Sequence, residues 1–195
     1  MLYLLKTSEI ILKGKNRKKF ERILIDNLKK KIGGDLLKLK NYGGAFLLET
    51  KNEAGDKIQK IFGIENFSPV QVFNSLEEIK NFLSNLDFKN NFNVYVQRGD
   101  KDYPLTSPQI ANELKKFIQE KFNLKIEEKN PETKISLYYK DKKFFLYFEK
   151  IKGFGGLPVS SGGKGLVLLS AGFDSPVASF FKHEKRVKSL FFAFS

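Results

Sequence analysis

A short polar turn between an apolar run and a helical segment is the part of this chain best suited to chemistry. The run Leu166-Val167-Leu168-Leu169 stops at Ser170-Ala171-Gly172-Phe173-Asp174-Ser175, and Pro176 follows at a position suited to the first turn of a helix. In such a strand–loop–helix unit, backbone N–H groups of the turn and of the helix start converge where the helix dipole favours an anion. The segment therefore predicts a phosphate site with a nucleotide as its ligand.

The spacing of this turn differs from that of the two commonest nucleotide loops. A Walker loop needs a lysine followed by Ser or Thr after a longer glycine arch, and the dinucleotide-binding turn has another glycine pattern. The segment resembles the S-G-G-x-D-S pyrophosphate loop (PP-loop) of the ATP pyrophosphatases, with Ala171 in place of the first glycine. The alternative is an ordinary serine-rich turn with an N-cap, which any α/β protein can contain.

The charge balance points to a polyanionic partner. The chain has 195 residues, 41% hydrophobic and 29% charged, which is typical of one or two compact domains. Its 35 Lys+Arg against 22 Asp+Glu give a net charge of +13. A biased genome could produce the same composition with solvated lysines, but the clustering of the basic residues favours nucleic acid.

The composition excludes sites that depend on cysteine and argues against a membrane or secreted location. The chain has no cysteine, so it offers no disulfide, thiolate zinc site or cysteine nucleophile, and we assign no residue to a metal. No apolar stretch approaches the length of a membrane span, and the apolar residues 1–5 are too short for a signal peptide. We expect a soluble, cytoplasmic protein that does not associate with a membrane.

Hydrophobic periodicity predicts a first folded unit at residues 1–75. Residues 2–5 favour a strand, and residues 16–32 a helix that ends at Gly33-Gly34. Strands at 36–40 and 45–50, a helix at 52–62 and a strand at 68–73 complete the order. This β-α-β-β-α-β succession is the ferredoxin-like arrangement, one sheet with two helices on one face.

A second unit is predicted at residues 76–152. Its pattern gives helices at 76–86 and 107–122 and strands at 93–97, 134–139 and 144–149, the last two joined by a tight turn at 140–143. Residues 153–163 are a glycine-rich linker, because their glycines interrupt both helix and strand. Residues 164–195 then contain the PP-loop segment and a strand at 188–194, so the fold class is α/β (α+β).

The order of these parts resembles, over the whole chain, the tRNA 4-thiouridine synthetases, also called tRNA uracil 4-sulfurtransferases. Residues 94–101, 107–110 and 130–132 are similar to the THUMP domain, the tRNA-binding module of that family. Residues 153–158 match its G-x-G-G-x-P linker, and residues 174–178 continue the PP-loop. The resemblance implies a ferredoxin-like domain, a THUMP domain and a truncated parallel-sheet PP-loop domain.

The resemblance also implies a reaction. In that family ATP adenylates O4 of uridine eight in tRNA, and a persulfide sulfur displaces AMP to give 4-thiouridine; some members also supply sulfur for the thiazole of thiamine. ATP and Mg²⁺ are the implied cofactors. The implied partners are the acceptor end of tRNA and a sulfur-donor persulfide protein such as a cysteine desulfurase.

Residue by residue, the resemblance places the ATP site in the last segment. Asp174 is the implied catalytic residue, assisting adenylation by orienting the magnesium-bound triphosphate. Pyrophosphate would be bound by Ser170, Gly172 and Ser175, and adenosine would lie between Leu168 and Leu169 on one strand and Ala193 and Phe194 on the next. The alternative for these four apolar residues is buried sheet core.

Basic clusters predict the RNA contacts. The first helix and its approach contain a dense run of basic residues, from which we select Lys15, Arg17 and Lys18. For the single-stranded acceptor end we select Arg98, Lys101, Ser107 and Gln109, since recognition of this kind depends on shape and an unpaired end. We expect the lysines at 29–31 to face solvent.

Residues 164–195 provide only one β-α-β unit, whereas a PP-loop domain needs a parallel sheet of several strands. We therefore expect a truncated domain, a chain that does not complete the reaction alone, and self-association, such as a homodimer, through the uncovered apolar run at 190–194. The alternative is a non-catalytic tRNA-binding THUMP module left by truncation. A THUMP-containing methyltransferase is a weaker alternative, because a methyl donor offers no phosphate to the turn.

Overall fold

The chain forms two compact units. In the computed structural model, residues 1–88, 90–169, 174, 176, 177, 180 and 188–193 are described. One unit contains Met1–Phe67 and Ile151–Ser195, and the other is Ser68–Lys150. The first unit is thus built from two separate stretches of chain, and the second unit is the stretch between them.

The described elements alternate between strands and helices along most of the chain. In order they are β1 (Leu2–Lys6), a 3₁₀ helix (Ile11–Asn16), α1 (Arg17–Ile32), a 3₁₀ helix (Gly33–Asp35), β2 (Leu36–Asn41), β3 (Ala45–Thr50), α2 (Gly55–Gln59), β4 (Asn66–Pro69), β5 (Gln71–Phe73), α3 (Leu76–Ser84), β6 (Asn91–Arg98), α4 (Ser107–Phe122), β7 (Lys125–Ile126), β8 (Thr133–Lys140), β9 (Lys143–Tyr147), β10 (Ile151–Lys152), β11 (Lys164–Leu169) and β12 (Lys188–Ala193).

The first unit has a five-stranded sheet in the order β10-β4-β1-β3-β2. β3 pairs antiparallel with both β1 and β2. Helical spacing places Leu24, Leu28 and Ile32 of α1 on one buried face, where they join Ile58 of α2 and alternate sheet residues such as Leu5 in a single core. The predicted ferredoxin-like arrangement is confirmed, with β10 added at the edge of the sheet.

Two predicted elements of the first unit differ from the structure. The predicted strand at 68–73 is two strands: β4 lies in the first sheet, whereas β5 pairs with β9 in the other sheet. Pro69 ends β4, and proline has no N–H to donate to a strand ladder. The predicted helix at 52–62 is only the short α2, which is followed by Gly63 at a φ of +101°.

The second unit has a five-stranded sheet in the order β5-β9-β8-β6-β7. β6 pairs parallel with β7 and β8, whereas β9 pairs antiparallel with β8 and β5. One face of the sheet packs against α3 and α4, through residues such as Ile79 and Leu114. The predicted tight turn between β8 and β9 has Asp141 and Lys142 at φ values of +55° and +57°, as a two-residue type I′ hairpin requires.

β11 and β12 form a separate two-stranded parallel sheet. The register runs from Lys164 opposite Lys188 to Leu169 opposite Ala193. The carboxyl ends of both strands therefore lie at the same end of the sheet, and in open parallel sheets ligands bind at this end.

The glycine-rich segment after β10 is packed into the first unit. Gly153 N donates to Glu65 O at 3.0 Å, Gly155 N to Ile64 O at 2.8 Å, and Gly63 N to Gly155 O at 2.6 Å. A Cβ atom at Gly153 would lie 2.4 Å from the Ile64 carbonyl oxygen, so only glycine allows this approach. The segment predicted as a linker thus forms part of a folded unit.

We predict that Gly153→Ala destabilises the first unit by about 1–3 kcal/mol, because the new methyl group forces backbone groups apart. Gly34→Ala is the matched control, since a Cβ there meets nothing within 4 Å. The measurement is urea and thermal unfolding followed by circular dichroism. Equal stability of the two variants would show that the contact between Gly153 and Ile64 does not constrain the fold.

Candidate functional site

Three of the four residues predicted to contact adenosine lie at the carboxyl ends of β11 and β12. Leu168 and Leu169 are the last two residues of β11, and Ala193, the last residue of β12, is the register partner of Leu169. Asp174 is exposed to solvent. The other predicted ATP contacts, Ser170, Gly172, Ser175 and Phe194, lie outside the described residues.

The basic cluster at the start of α1 combines exposed lysines with a paired arginine. Lys15 and Lys18 are exposed, whereas the Arg17 side chain is 31% exposed and its Nε lies 2.8 Å from Glu21 Oε1. Glu21 is buried, and its Oε2 accepts a hydrogen bond of 2.8 Å from Asn41 Nδ2. Arg17 therefore compensates a buried carboxylate, a pairing that its i, i+4 spacing to Glu21 could have indicated.

The turn between β2 and β3 makes room for the Arg17 guanidinium. A Cβ at Gly43 would lie 2.8 Å from Arg17 Nη2, and one at Gly44 would lie 3.1 Å from the same atom. Both glycines have positive φ values, +73° and +89°. The sequence Gly43-Gly44 thus provides both the backbone conformation of the turn and the space in which Arg17 reaches Glu21.

The lysines at the two ends of α1 have opposite energetic consequences. The first turn of α1 contains no acidic residue, and Lys18 lies at this positive end of the helix dipole. A cation there opposes the dipole by about 0.3–1 kcal/mol, whereas Lys29, Lys30 and Lys31 in the last turn are favourable. The local positive potential at the start of α1 therefore lowers helix stability while it attracts anions.

Arg98, predicted as an RNA contact, is engaged within the protein. Its Nη1 donates to the carbonyl oxygens of Tyr103 at 3.2 Å and Leu105 at 2.8 Å. These two residues lie in the loop that leads from β6 to α4. The guanidinium therefore fixes the backbone of this loop, and with it the predicted contacts Lys101 and Ser107 near the loop's two ends.

Asp100 ties the same loop to the turn between β8 and β9. Its carboxylate accepts hydrogen bonds from Lys140 Nζ and, at 2.8 Å, from the backbone N–H of Asp141. The Lys140 ammonium and this backbone N–H together lower the pKa of Asp100 from its ordinary value, while Asp100 raises the pKa of Lys140. Both groups are thus charged at neutral pH, and the loop is anchored at a second point.

The start of α4 is ordered by its own cap. Gln109 Oε1 accepts hydrogen bonds of 2.8 Å from both the backbone N–H and the hydroxyl of Thr106. Lys101 is exposed and Ser107 is half-buried. Of the residues selected for a single-stranded RNA end, Arg98 through Nη1 and Gln109 through Oε1 thus make contacts that shape this region.

Two cavities were not predicted from the sequence. One, of about 470 Å³, lies in the second unit and is lined by Tyr95, Lys134, Ser136, Phe148, Glu149 and Lys150. The other, of about 260 Å³, lies in the first unit beside the last turns of α1, where Lys30, Lys31 and Lys60 surround Ile61 and Phe62. For the larger cavity, the available signal in the sequence was the position of Tyr95 between Val94 and Val96, because alternation in a strand places its side chain on the face opposite the core.

Comparison with known proteins identifies both units. Residues 2–68 match the ThiI ferredoxin-like domain, and residues 73–149 match the THUMP domain. A probable tRNA sulfurtransferase of Thermotoga maritima is 34% identical over 198 residues, covering 95% of this chain and 50% of the relative. The chain belongs to the tRNA sulfurtransferase family. It spans about half the length of the curated relatives it matches.

Solved structures agree with this assignment to the tRNA sulfurtransferases. A 4-thiouridine synthetase, crystallised as an RNA complex with bound ATP, matches 100% of this chain and 52% of its own with a TM-score of 0.81 and 32% identity. PH1313 from Pyrococcus horikoshii Ot3 matches 100% of this chain and 68% of its own with a TM-score of 0.91 and 25% identity.

Within the described ranges, no helix is both long and apolar enough to cross a bilayer.

We predict that Arg98→Ala lowers stability by about 1.5–3 kcal/mol, because the carbonyl groups of Tyr103 and Leu105 lose a charged donor. Amide hydrogen exchange should accelerate in residues 99–106, and thermal unfolding should shift to lower temperature. Arg22→Ala, which removes an exposed arginine from α1, should change neither quantity. Unchanged exchange in the Arg98 variant would contradict the anchoring role.

Proposed function

We propose that this chain is the RNA-binding part, together with the start of the ATP-binding part, of an enzyme that converts uridine eight of tRNA to 4-thiouridine. The observation that carries the proposal is the match along the whole chain to a 4-thiouridine synthetase crystallised with RNA and ATP. The THUMP domain and the tRNA sulfurtransferase relatives support tRNA as the substrate. The cytoplasm is the proposed location.

In the proposed reaction, O4 of the uridine attacks the α-phosphorus of ATP and pyrophosphate leaves. The terminal sulfur of a persulfide then displaces AMP from the activated carbon, which leaves the base joined to the carrier by a disulfide. A second thiol, also from outside this chain, attacks the carrier sulfur of that disulfide, so 4-thiouridine leaves and a disulfide remains between the two thiols. Because the chain contains no cysteine, the sulfur must come from outside these 195 residues, and a persulfide-carrying protein such as a cysteine desulfurase is the proposed donor. Supply of sulfur to thiamine thiazole and assembly as a homodimer belong to the same proposal.

Within this chain, the edge formed by the ends of β11 and β12 is the proposed adenosine site, with Leu168, Leu169, Ala193 and Phe194 beside the nucleoside. Ser170, Gly172 and Ser175 are the proposed pyrophosphate ligands. The exposed Asp174 carboxylate is the type of hard oxygen ligand that Mg²⁺ prefers, so it is the proposed group for orienting a magnesium-bound triphosphate. Parallel strand ends that meet at one edge support this assignment.

A second candidate is a tRNA-binding module without catalysis. The complete absence of cysteine favours it, since a chain without a thiol can bind RNA but cannot carry a persulfide. The exposed Lys15 and Lys18 would contact phosphates in either case, with Arg17 beside them. Lys101, Ser107 and Gln109 would contribute near the loop that Arg98 fixes.

We predict that the double variant Lys15→Ala, Lys18→Ala weakens tRNA binding. The magnitude of the slope of log affinity against log salt should fall by about 1–2, because each phosphate contact that is lost no longer releases a counterion on binding. The matched control is Lys29→Ala, Lys31→Ala at the other end of the same helix. Filter binding with tRNA from 50 to 300 mM salt, about the range in which such contacts are screened, measures both slopes. Identical slopes for the two double variants would exclude the start of α1 as a phosphate-binding surface.

Binding of ATP separates the enzyme from the module. We predict that the chain binds ATP with Mg²⁺ and that Asp174→Ala weakens this binding by about tenfold, a loss of about 1.4 kcal/mol. Asp26→Ala removes another exposed carboxylate and serves as the control. Equilibrium dialysis with labelled ATP is the measurement. Absence of ATP binding, or equal binding by both variants, would leave only the RNA-binding module.

A further inference from the structure

Three phenylalanine rings of the first unit contact one another. The centroids of Phe62 and Phe154 lie 5.1 Å apart, those of Phe62 and Phe180 5.5 Å, and those of Phe154 and Phe180 5.6 Å. The interplanar angles are 54°, 57° and 79°, so no pair forms a face-to-face sandwich, the arrangement that aromatic rings avoid. We call these three residues the Phe cluster.

Backbone hydrogen bonds fix two of the three rings relative to each other. Three successive N–H groups, at residues 153–155, donate to carbonyl oxygens of residues 59–65 at distances of 2.8 to 3.2 Å. Phe154 is the middle donor, and Phe62 lies within the segment that accepts. Gly63, the residue after Phe62, donates its N–H to Gly155 O at 2.6 Å. The rings of Phe62 and Phe154 are therefore presented by one rigid piece of backbone.

Burial alone does not account for the Phe cluster. Phe62 is 8% exposed, but Phe154 and Phe180 are 42% and 47% exposed. Phenylalanines that fill the core of this unit are buried, as Phe46 and Phe67 are. Single exposed apolar residues are common on protein surfaces, whereas two that contact the same buried ring form a patch. The contact of the rings with one another is thus the feature that requires a reason.

Phe180 is close in sequence to the residue proposed to orient the triphosphate. Asp174, Pro176, Val177 and Phe180 are all helical, so Phe180 lies six residues after Asp174 on helical backbone. Helical backbone is stiff because each turn is joined to the next by hydrogen bonds. A contact that holds Phe180 therefore restricts where the Asp174 carboxylate can lie.

The strands of this part of the chain give the helical residues little support. Within the described residues, β11 and β12 form a sheet of two strands. A two-stranded sheet is at best marginally stable in water. Phe62 and Phe154 supply a second attachment for Phe180, and this attachment comes from the well-packed core of residues 1–67 and not from β11 or β12.

We propose that Phe154 and Phe180, together with Phe62, are positioning residues for the ATP site, because their contact holds Asp174 in the place where it meets the triphosphate. The inference rests on the ATP binding proposed above and adds to it residues that contact no ligand. ATP binding and the ring contacts then stabilise each other, since a coupling free energy acts equally in both directions.

The first test measures binding of ATP with Mg²⁺ by equilibrium dialysis. It compares the wild-type chain with Phe180→Ala, Phe154→Ala, the double variant and Phe180→Tyr. Phe148→Ala is the matched control, because Phe148 is 38% exposed and belongs to the second unit. Thermal unfolding of each variant reports whether it is folded.

We expect Phe180→Ala to weaken ATP binding by about threefold to thirtyfold, the range that the loss of one or two ring contacts gives when converted to a binding constant. Phe180→Tyr should bind ATP as the wild type does, because it keeps the ring at an exposed position. The double variant should bind as Phe180→Ala does, since Phe154 acts through Phe180. If Phe154→Ala fails to fold, Phe180→Ala tests the same contact from the other side.

A second measurement follows the rings directly. The chain contains no tryptophan, so Phe180→Trp introduces a single indole that can be excited selectively. Its emission should change when ATP with Mg²⁺ is added. Phe154→Ala in this background should shift the emission to longer wavelength, because the indole loses an apolar neighbour.

The possible failures are distinguishable. Equal ATP affinity of the wild type and a folded Phe180→Ala, or an equal loss in Phe148→Ala, removes the positioning role but leaves the ATP site in place. Emission of Phe180→Trp that does not respond to Phe154→Ala contradicts the ring contact itself. No binding of ATP by the wild type removes this inference together with the ATP site of the proposed function, and leaves the RNA-binding module.

Discussion

Backbone hydrogen bonds between residues 63–65 and residues 153–155 join the two stretches of chain that make up the first unit. They lie close to the points where the chain leaves this unit and returns to it. Phe67 and Ile151 are register partners in β4 and β10, so the stretch of 83 residues assigned to the second unit begins and ends at neighbouring strands of one sheet. A two-residue strand such as β10 is weak alone, and the contacts of Gly153 and Gly155 extend its attachment. Leu157, which follows these two glycines in the chain, is buried in the core of the first unit. The chain that leads into β11 is therefore anchored on the ferredoxin-like core before β11 begins.

The distribution of charge along α1 places a positive potential at its start at some cost to helix stability. Exposed Lys18 at the start of α1 opposes the helix dipole, and no acidic side chain in that turn offsets it. Nearby Arg17 is compensated by the buried Glu21 one turn further along the helix, so this carboxylate does not offset the exposed Lys18. At the other end of α1, Lys29, Lys30 and Lys31 interact favourably with the helix dipole, which accounts for their position without a ligand. The two clusters thus differ physically, because only the one at the start of α1 opposes the helix dipole.

Much of the fold was predictable because its signals are local. The helical spacing of apolar residues gave α1 and α4, strand alternation gave β3 and β8, and the 140–143 turn was evident from its position between two strands. The assignment of residues 71–73 failed because one apolar strand pattern continues across Pro69 while the hydrogen-bonding partners change from one sheet to the other. The packing of Gly153 on Ile64 could not be predicted either, since glycine breaks regular structure equally in a free linker and in a close backbone contact. Arg98 was selected from the sequence by its charge, but only the folded structure shows the two carbonyl groups that it contacts.

Phosphate contacts and base contacts contribute differently to RNA recognition, because only the second kind depends on position along the RNA. A surface of lysines increases affinity for any polyanion and, with a net charge of +13, would attract duplex RNA without regard to position along it. The proposed modification of one uridine requires a defined register on the RNA, which nonspecific attraction does not provide. A surface with a fixed backbone is better suited to provide that register, and the loop from β6 to α4 is held at two points. Arg98 donates to the carbonyl oxygens of Tyr103 and Leu105, and Asp100 accepts from the backbone N–H of Asp141. Side chains on this loop therefore occupy more defined positions than those of lysines on an exposed helix.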